Sequence, residues 1–284
     1  MATCLSDLIS DHSLDFVGLQ ETMKRKYSPK CIRRIDPFGL FHWEWIPSVG
    51  KSGGILSGVR HDTFDVISCN KGKYILQMVI RDKKIKKDWG LMVVYGSAHE
   101  EFKEEFLVEL AAICSNMSVP YIVGGDFNIL QENGDKNKTM SRSPYVDKFN
   151  SLINSLCLRE IHMGGGKYTY TNNQKHPALE KLDRVLMSFE WEDLFPLVTV
   201  RKLVRDVSDH NPLLLSSGAK KLDTPHQREF RFELSWLRDE KFYPTAKRIW
   251  EQPVRATDPI DVLNIKLKRL KNILKGGVPT LLVM

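Results

Sequence analysis

The sequence predicts an α/β fold, a four-layer α/β sandwich in which two packed mixed β-sheets are flanked by helices. Short apolar runs rich in Val, Ile, Leu and Tyr recur along the chain and end at Gly, Asn, Asp or Ser, as strands tend to do. Amphipathic helical segments separate these runs. The 284 residues, 42% hydrophobic and 27% charged, are enough for one large domain with additional material.

Eight of these apolar runs are predicted to be strands. In chain order they are DFVGLQE, GGILSGV, FDVISC, YILQMVI, WGLMVVYG, PYIVGGDFN, LDRVLMS and SDHNPLLL. Trp43 and Trp45 alternate as on a further strand, and we interpret them as packing groups.

Two amphipathic helices are predicted between the strands. Both EEFKEEFLVELAAICSNM and SPYVDKFNSLINSLCL repeat apolar residues at spacings of three and four, which places them on one helical face. The apolar residues are Phe102, Phe106, Leu107, Leu110 and Ile113 in the first helix, and Val146, Phe149, Ile153 and Leu156 in the second.

A change of composition near residue 218 predicts two parts. Residues 1–217 contain the predicted strands, whereas residues 218–284 read as basic amphipathic helices with bulky aromatics and no partner sheet. Lys and Arg number 28 against 27 Asp and Glu in residues 1–218, but 14 against 8 in residues 219–284. A basic extension suits contact with a polyanion, and it is also typical of a solvated surface, so both interpretations stay open.

The composition argues against several classes of protein. No window approaches the roughly 18 uninterrupted apolar residues of a membrane span, and the first residues lack the basic and apolar regions of a signal peptide. The five cysteines are widely spaced and never form a CxxC pair, which argues against a zinc site and a disulfide framework. We expect a soluble protein without a membrane or disulfide partner, and the sequence does not choose between nucleus and cytoplasm.

Polar side chains stand where the predicted buried strands meet loops. They are Glu21, Tyr95, Asp126, Asn128, Asp183, Asp209 and His210. Each one alone is explained by a strand cap or a turn, but a buried carboxylate costs desolvation energy unless it is paired, and the whole set favours a site. Carboxylates beside an amide and a histidine fit a Mg²⁺-assisted phosphoester hydrolase, with Mn²⁺ as a possible substitute.

Ordered motifs in the chain resemble those of a known family. The runs FVGLQET, VVYGSAHEEFKEEFLVEL, GGDFNIL, GGGKYTYTN, LEKLDRVLMS and SDHNPLLL occur in the order and spacing of the exonuclease, endonuclease and phosphatase superfamily. FHWEWIPSVGKSGGILSG and LEKLDRVLMSFEWEDLFP look more narrowly like the apurinic-type endonuclease domain of plant LINE-like non-LTR retrotransposons. The resemblance covers roughly residues 12–216, and FRFELSWL resembles the connector that precedes a reverse transcriptase in such elements.

The resemblance implies a catalytic role for five of the strand-end residues. Asp126 would orient or deprotonate the attacking water, and Asn128 would hold the same site by hydrogen bonds. His210 would contact the scissile phosphate, while Asp183 would fix its tautomer and keep it protonated. Tyr95 would also contact the phosphate.

The same resemblance implies metal and DNA contacts. Glu21 would be the metal-binding glutamate, and Asp209 would lie beside the metal. Thr169 and Asn172, in the run KYTYTN, would belong to a loop that faces DNA. The implied product is a DNA nick with a free 3′-hydroxyl that primes reverse transcription.

The chain departs from the family pattern at its start. Family members begin with a strand of the type SWNVRGL, whose Asn helps to bind the metal and the water, and this chain starts after that position. The resemblance therefore implies that the first strand is missing, and Asn70 and Asn116 lie in other contexts. Three functions stay open: a Mg²⁺-dependent DNA endonuclease, a phosphatase or phosphodiesterase on the same fold, and an inactive retroelement remnant that at most binds nucleic acid.

Overall fold

Seven α-helices and fourteen β-strands form the part of the chain that the structure describes. The computed structural model describes residues 2–49, 53–138, 143–205, 208–218, 234–254, 256 and 259–274. The helices are α1 (Ala2–His12), α2 (Pro29–Ile35), α3 (Lys103–Ser115), α4 (Pro144–Ser155), α5 (Phe189–Leu194), α6 (Phe242–Trp250) and α7 (Pro259–Leu274). The strands are β1 (Phe16–Leu19), β2 (Phe41–Ile46), β3 (Ile55–Arg60), β4 (Phe64–Lys71), β5 (Ile75–Asp82), β6 (Lys87–Tyr95), β7 (Tyr121–Asp126), β8 (Arg159–Glu160), β9 (Met163–Gly164), β10 (Tyr170–Thr171), β11 (Leu179–Glu180), β12 (Asp183–Met187), β13 (Thr199–Lys202) and β14 (Leu213–Ser216).

A six-stranded mixed sheet in the order β4-β5-β6-β7-β12-β8 is the centre of the molecule. Strands β6 and β7 are parallel, and the other pairs are antiparallel. A parallel pair needs a long crossover connection, which here contains α3. Strands β6 and β12 are buried along most of their length because both faces of this sheet are covered, and this explains their continuous apolar runs.

Two three-stranded sheets, β1-β3-β2 and β14-β13-β9, cover one face of the six-stranded sheet. An apolar cluster that includes Val59, Trp89 and Val200 fills the space between these sheets. A second cluster, around Phe106, lies under α3 and α4, and a third, around Leu5, lies under α1 and α2. The layers therefore follow one another in the order helices, sheet, sheet, helices. These four layers confirm the predicted sandwich.

The predicted elements agree closely with the observed ones. All eight predicted strand runs contain a strand, and Trp43 and Trp45 lie on β2. Phe102 differs from its prediction, because it ends a short 3₁₀ helix (Glu100–Phe102) before α3 and its side chain is 42% exposed. Five short strands were not predicted: β8, β9, β10, β11 and β13.

Among the described C-terminal residues, a 3₁₀ helix (Leu234–Arg238) precedes α6 and α7, which contact each other. Residues 219–233 lie outside the described residues. The predicted boundary near residue 218 borders on them, and the first half of the FRFELSWL run falls within them. No helix among the described ranges is both long enough and apolar enough to cross a bilayer.

Within the described residues, β1 and β14 are edge strands of the two small sheets. Within the described part of the chain, β1 pairs with β3 alone and β14 pairs with β13 alone. The missing strand itself stays a prediction.

Candidate active site

The central sheet brings three of the predicted site residues into one row. Asp126, the last residue of β7, is in register with Tyr95 at the end of β6 and with Asp183 at the start of β12. Residues in register on neighbouring strands stand about 5 Å apart and share one face of the sheet. Both aspartates are buried, with 4% of Asp126 and 7% of Asp183 exposed. The fold therefore concentrates two carboxylates at one sheet end.

Unusual backbone conformations surround this row. Gly125 has a φ of 142°, and a Cβ atom there would lie 2.2 Å from the carbonyl oxygen of Val94, so only glycine fits. Glu21 and Asn128 adopt the left-handed conformation, with φ values of 49° and 51°. Such conformations cost energy in residues other than glycine and tend to gather at functional sites.

Asn128 binds the carboxylate of Asp126 through two hydrogen bonds. Its backbone N–H donates to Oδ1 at 2.9 Å, and its side-chain Nδ2 donates to Oδ2 at 2.8 Å. The same Nδ2 also donates to the carbonyl oxygen of Gly96 at 3.0 Å, which fixes the amide. The turn after β7 thereby orients the carboxylate while each oxygen keeps lone pairs for a further ligand.

His210 is held between the two aspartates. Its Nδ1 lies 2.7 Å from Oδ2 of Asp183, and its Nε2 lies 4.0 Å from Oδ2 of Asp126. The ring of Tyr170 stands 5.0 Å from the imidazole, centroid to centroid, and the two residues form a β-bridge. Burial lowers the pKa of His210, but Asp183, Asp126 and Asp209 outweigh it and raise the pKa to about 9. His210 is therefore an imidazolium at neutral pH, with Nε2–H free to donate.

Glu21 and Tyr95 form the other side of the site. The Tyr95 hydroxyl donates to Oε1 of Glu21 at 2.5 Å. Burial and the Glu21 carboxylate raise the pKa of Tyr95 far above its usual range, so the phenol keeps its proton. Glu21 itself is exposed, which leaves its carboxylate accessible to a ligand.

The buried carboxylates fit a divalent cation. Burial, followed by the nearby charge of Asp183, raises the pKa of Asp126 well above its ordinary range, with Glu21 contributing in the same direction. A bound cation would relieve this repulsion. Ligand atoms of Asp126, Asp183 and His210 lie within 4.8 Å of one another, and the described residues contain no second group of this kind. A protonated imidazole is a poor ligand, so carboxylate oxygens are the groups at this site that could hold a divalent cation.

Asp209 lies next to the site but is exposed. Its side chain contacts the hydroxyl of Ser208 at 3.4 Å, and its charge contributes to the raised pKa values of His210 and Tyr95. The structure therefore places Asp209 within electrostatic reach of the site.

Thr169 and Asn172 make structural contacts in the loop where DNA contact is predicted. Thr169 is fully buried, and its hydroxyl accepts the backbone N–H groups of Leu182 and Asp183 at 3.1 and 3.0 Å. Asn172 accepts two backbone N–H groups from the loop 172–178 at 3.0 and 3.3 Å. Thr169 thus positions the start of β12, and Asn172 shapes the loop beside it.

Sequence reasoning missed three residues that adjoin the site. Tyr170 packs on His210, Asn211 is buried directly after it, and Arg205 is buried with one nitrogen 3.3 Å from the carbonyl oxygen of Asp209. Tyr170 belongs to a strand of only two residues, which shows no periodicity. The sequence did contain a signal for Asn211, because a polar residue next to the apolar run PLLL needs a hydrogen-bond partner when it is buried.

Comparison with solved structures shows which known proteins share this fold. The endonuclease domain of TRAS1, a telomere-specific non-LTR retrotransposon, is 17% identical, with a TM-score of 0.60 over 78% of this chain and 94% of that one. An endonuclease/exonuclease/phosphatase from Bacteroides vulgatus is 16% identical, with a TM-score of 0.54 over 75% of this chain and 88% of that one. TDP2 from C. elegans is 14% identical, with a TM-score of 0.50 over 75% of this chain and 67% of that one. At such identities the likeness shows a shared fold.

Sequence comparison assigns the family. No curated protein sequence matches the chain. The pattern of the Endonuclease/Exonuclease/phosphatase family matches residues 2–210, from the first helix to the histidine of the site. The chain therefore belongs to the endonuclease/exonuclease/phosphatase family.

Proposed function

We propose that the protein is a divalent-metal-dependent phosphodiesterase that nicks DNA and leaves a free 3′-hydroxyl. One observation carries this proposal. Asp126 is buried, is oriented on both oxygens by Asn128, and faces the Nε2 of an imidazolium 4.0 Å away. A carboxylate and an imidazolium this close to each other can both face one phosphate that lies beside them, the carboxylate toward the attacking water and the imidazolium toward a phosphate oxygen.

The side chains divide the chemistry between them. Asp126 accepts the proton of the attacking water, and Asn128 keeps its carboxylate aligned for that transfer. His210 donates its Nε2–H to a phosphate oxygen, and Asp183 holds the ring and keeps it charged. The Tyr95 hydroxyl donates its one O–H to Glu21, and it would become a donor for the phosphate once Glu21 binds the cation instead.

The metal ligands would be the carboxylates of Asp126 and Glu21, with Asp209 nearby. Mg²⁺ or Mn²⁺ bound there would supply charge neutralisation and polarise the phosphate. The raised pKa of Asp126 supports this choice, because a cation stabilises the ionised carboxylate.

Nucleic acid as the substrate is supported by the fold and by positive charge. The fold resembles the retrotransposon endonuclease domain of TRAS1. The pKa of His12 is lowered, and burial is the largest cause. Asp11 acts in the opposite direction, and the positive charges of Arg201, Lys268 and Lys271 lower this pKa further. Strand β13 and helix α7 therefore gather three cations near the end of α1, where a polyanion could bind. We also propose that residues 218–284 connect the domain to a reverse transcriptase.

A plasmid-nicking assay tests the function. Purified protein is incubated with supercoiled DNA and Mg²⁺, beside Asp126→Ala and a matched control, Glu101→Ala, which replaces an exposed acid of the 3₁₀ helix before α3. We expect nicked circles from the wild type and the control, and a loss of about 100-fold or more in Asp126→Ala. Extension of the nick by a DNA polymerase, without prior phosphatase treatment, tests the free 3′-hydroxyl.

The same assay separates the open alternatives. Equal nicking by the wild type and Asp126→Ala would mean that a contaminant cleaves the DNA. Absence of nicking, together with Asp126-dependent hydrolysis of small phosphoesters, would favour a phosphatase or phosphodiesterase. Absence of both activities, with DNA binding retained, would favour the inactive remnant.

A further inference from the structure

A buried carboxylate joins the C-terminal helix to the domain. Asp261 lies in the first turn of α7 and is only 1% exposed. Its Oδ2 is 3.3 Å from Nε of Arg205, and its Oδ1 accepts a hydrogen bond from Nδ2 of Asn211 at 3.4 Å. A carboxylate is rarely buried without a partner, so these two contacts explain why an acid is tolerated there.

Both partners of Asp261 flank the turn that carries His210. Arg205, which is 4% exposed, also donates from a terminal nitrogen to the carbonyl oxygen of Asp209 at 3.3 Å. Asn211 donates its Nδ2 to the carbonyl oxygen of Leu203 at 3.0 Å. The turn from Asp209 to Asn211 is therefore held from both sides by residues that contact Asp261.

The same contacts continue to the acid that holds His210. The backbone N–H of Asn211 donates to the carbonyl oxygen of Thr169 at 2.8 Å. The hydroxyl of Thr169 in turn accepts the backbone N–H of Asp183 at 3.0 Å. One connected set of buried polar contacts thus links α7 with both members of the His210–Asp183 pair.

We propose that Asp261 is a positioning residue for the hydrolytic site, acting through Arg205 and Asn211 on the turn that carries His210. This inference rests on the proposed function. It also assigns α7 to the same functional unit as the catalytic sheet, so that the C-terminal helices are more than a tether to a following domain.

A merely structural role for Asp261 makes a different prediction. In that case its loss would lower the stability of the whole protein, and the turnover of the molecules that remain folded would not change. A positioning role affects turnover in the folded protein, because a displacement of about 1 Å at a catalytic group can lower the rate about 100-fold. Turnover therefore has to be measured separately from stability and from substrate affinity.

The kinetic test uses the full chain and three variants. Asp261→Ala removes both contacts. Asp261→Asn keeps an acceptor for Asn211 but removes the charge beside Arg205. The control, Glu240→Ala, changes an exposed acid of the same segment. Below the unfolding temperature of every variant, we expect kcat for nicking to fall about 10- to 100-fold in Asp261→Ala and by a smaller factor in Asp261→Asn. KM should stay within about threefold, because none of the variants replaces Arg201, Lys268 or Lys271. Glu240→Ala should match the wild type.

A double variant distinguishes positioning from the loss of a buried charge. Replacing both partners, Arg205→Met with Asp261→Leu, removes the buried ion pair as a unit, which commonly restores stability. We expect kcat to stay low in this variant, because its Met side chain cannot donate to the carbonyl oxygen of Asp209. Recovery of both stability and kcat would overturn the inference.

A measurement without catalysis keeps this inference separate from the proposed function. Hydrogen exchange of the Asn211 amide, which donates to Thr169, is measured by NMR in metal-free protein. We expect at least about tenfold faster exchange in Asp261→Ala than in the wild type, with amides of the central sheet unchanged. Faster exchange in a protein that never nicks DNA would support the link and refute the proposed function. Unchanged exchange and unchanged kcat in folded Asp261→Ala would refute the link alone.

Discussion

Replacing Asp183 with Asn should remove the positive charge of His210 at mildly alkaline pH. Asp183 accepts the Nδ1–H of His210 at 2.7 Å, and the pKa of His210 is about 9 against an ordinary value of 6.5. This difference corresponds to about 3 kcal/mol in favour of the imidazolium. The side chain of His210 is 23% exposed, so solvent screens only part of this energy. In Asp183→Asn burial still opposes the charge, and we expect the pKa to fall to about 7 or lower.

The pKa can be measured directly by NMR. The ring carbon and nitrogen shifts of His210 are followed through a pH titration of metal-free wild type and Asp183→Asn. At pH 8 about nine-tenths of the wild-type rings and about one-tenth of the variant rings should be protonated. If the imidazolium stabilises the phosphate, nicking at pH 8 should fall about tenfold for this reason alone. A His210 pKa that is equal in the two proteins would refute the assigned ion pair.

The same pair predicts how stability depends on pH. A histidine whose pKa is raised in the folded state stabilises the protein fully below its unfolded pKa of 6.5, and this contribution disappears as the pH rises through about 9. Urea unfolding of metal-free wild type should therefore show a loss of stability between pH 6.5 and 9.5 that is smaller in Asp183→Asn. Parallel pH profiles of the two proteins would contradict this account.

Three further predictions concern the structure of the domain. Gly125→Ala should destabilise the protein by about 2–4 kcal/mol and abolish nicking, because the new Cβ would collide with the backbone of Val94. An unchanged melting temperature would contradict this prediction. Arg184→Ala should lower the free energy of unfolding in urea by about 3–5 kcal/mol, because Arg184 is fully buried and its loss leaves its acidic partners unpaired. A loss below about 1 kcal/mol would show that these ion pairs are dispensable. A thiol reagent at pH 8 should label the exposed Cys157 long before Cys114, where burial raises the pKa to about 12, and simultaneous labelling in native protein would refute that burial.

The sequence was most informative where local chemistry decides the structure. Asp126 and Asp183 were predicted as strand-end residues, and pairing of β7 with β12 brings them into one register. A long apolar run such as that of β6 predicts a strand buried on both faces, because it has no polar face to turn to water. The two predicted amphipathic helices, α3 and α4, form one outer layer of the sandwich, and α1 and α2 form the other.

Contacts between distant segments could not be predicted from local patterns. Thr169 was predicted to lie in a loop that faces DNA, and this stays a prediction. The sequence did not show that its hydroxyl accepts backbone N–H groups of β12 and the residue before it, because a Thr in such a run shows nothing about its tertiary partners. Asp261 lies 50 residues after Asn211, and the basic composition of the tail gave no sign that one of its few acids is buried. The strand β10 contains two residues, which is too short for any periodicity.

The central claim is that a metal site at the end of the central sheet cleaves phosphodiester bonds. Its most direct test is the dependence of single-turnover DNA nicking on Mg²⁺ concentration, in the wild type and in Asp126→Asn, which keeps the shape of the side chain. We predict a rate that rises and saturates with Mg²⁺, disappears in EDTA, and is at least about 100-fold lower in Asp126→Asn. Nicking that needs no Mg²⁺, or that proceeds equally in both proteins, would contradict the claim.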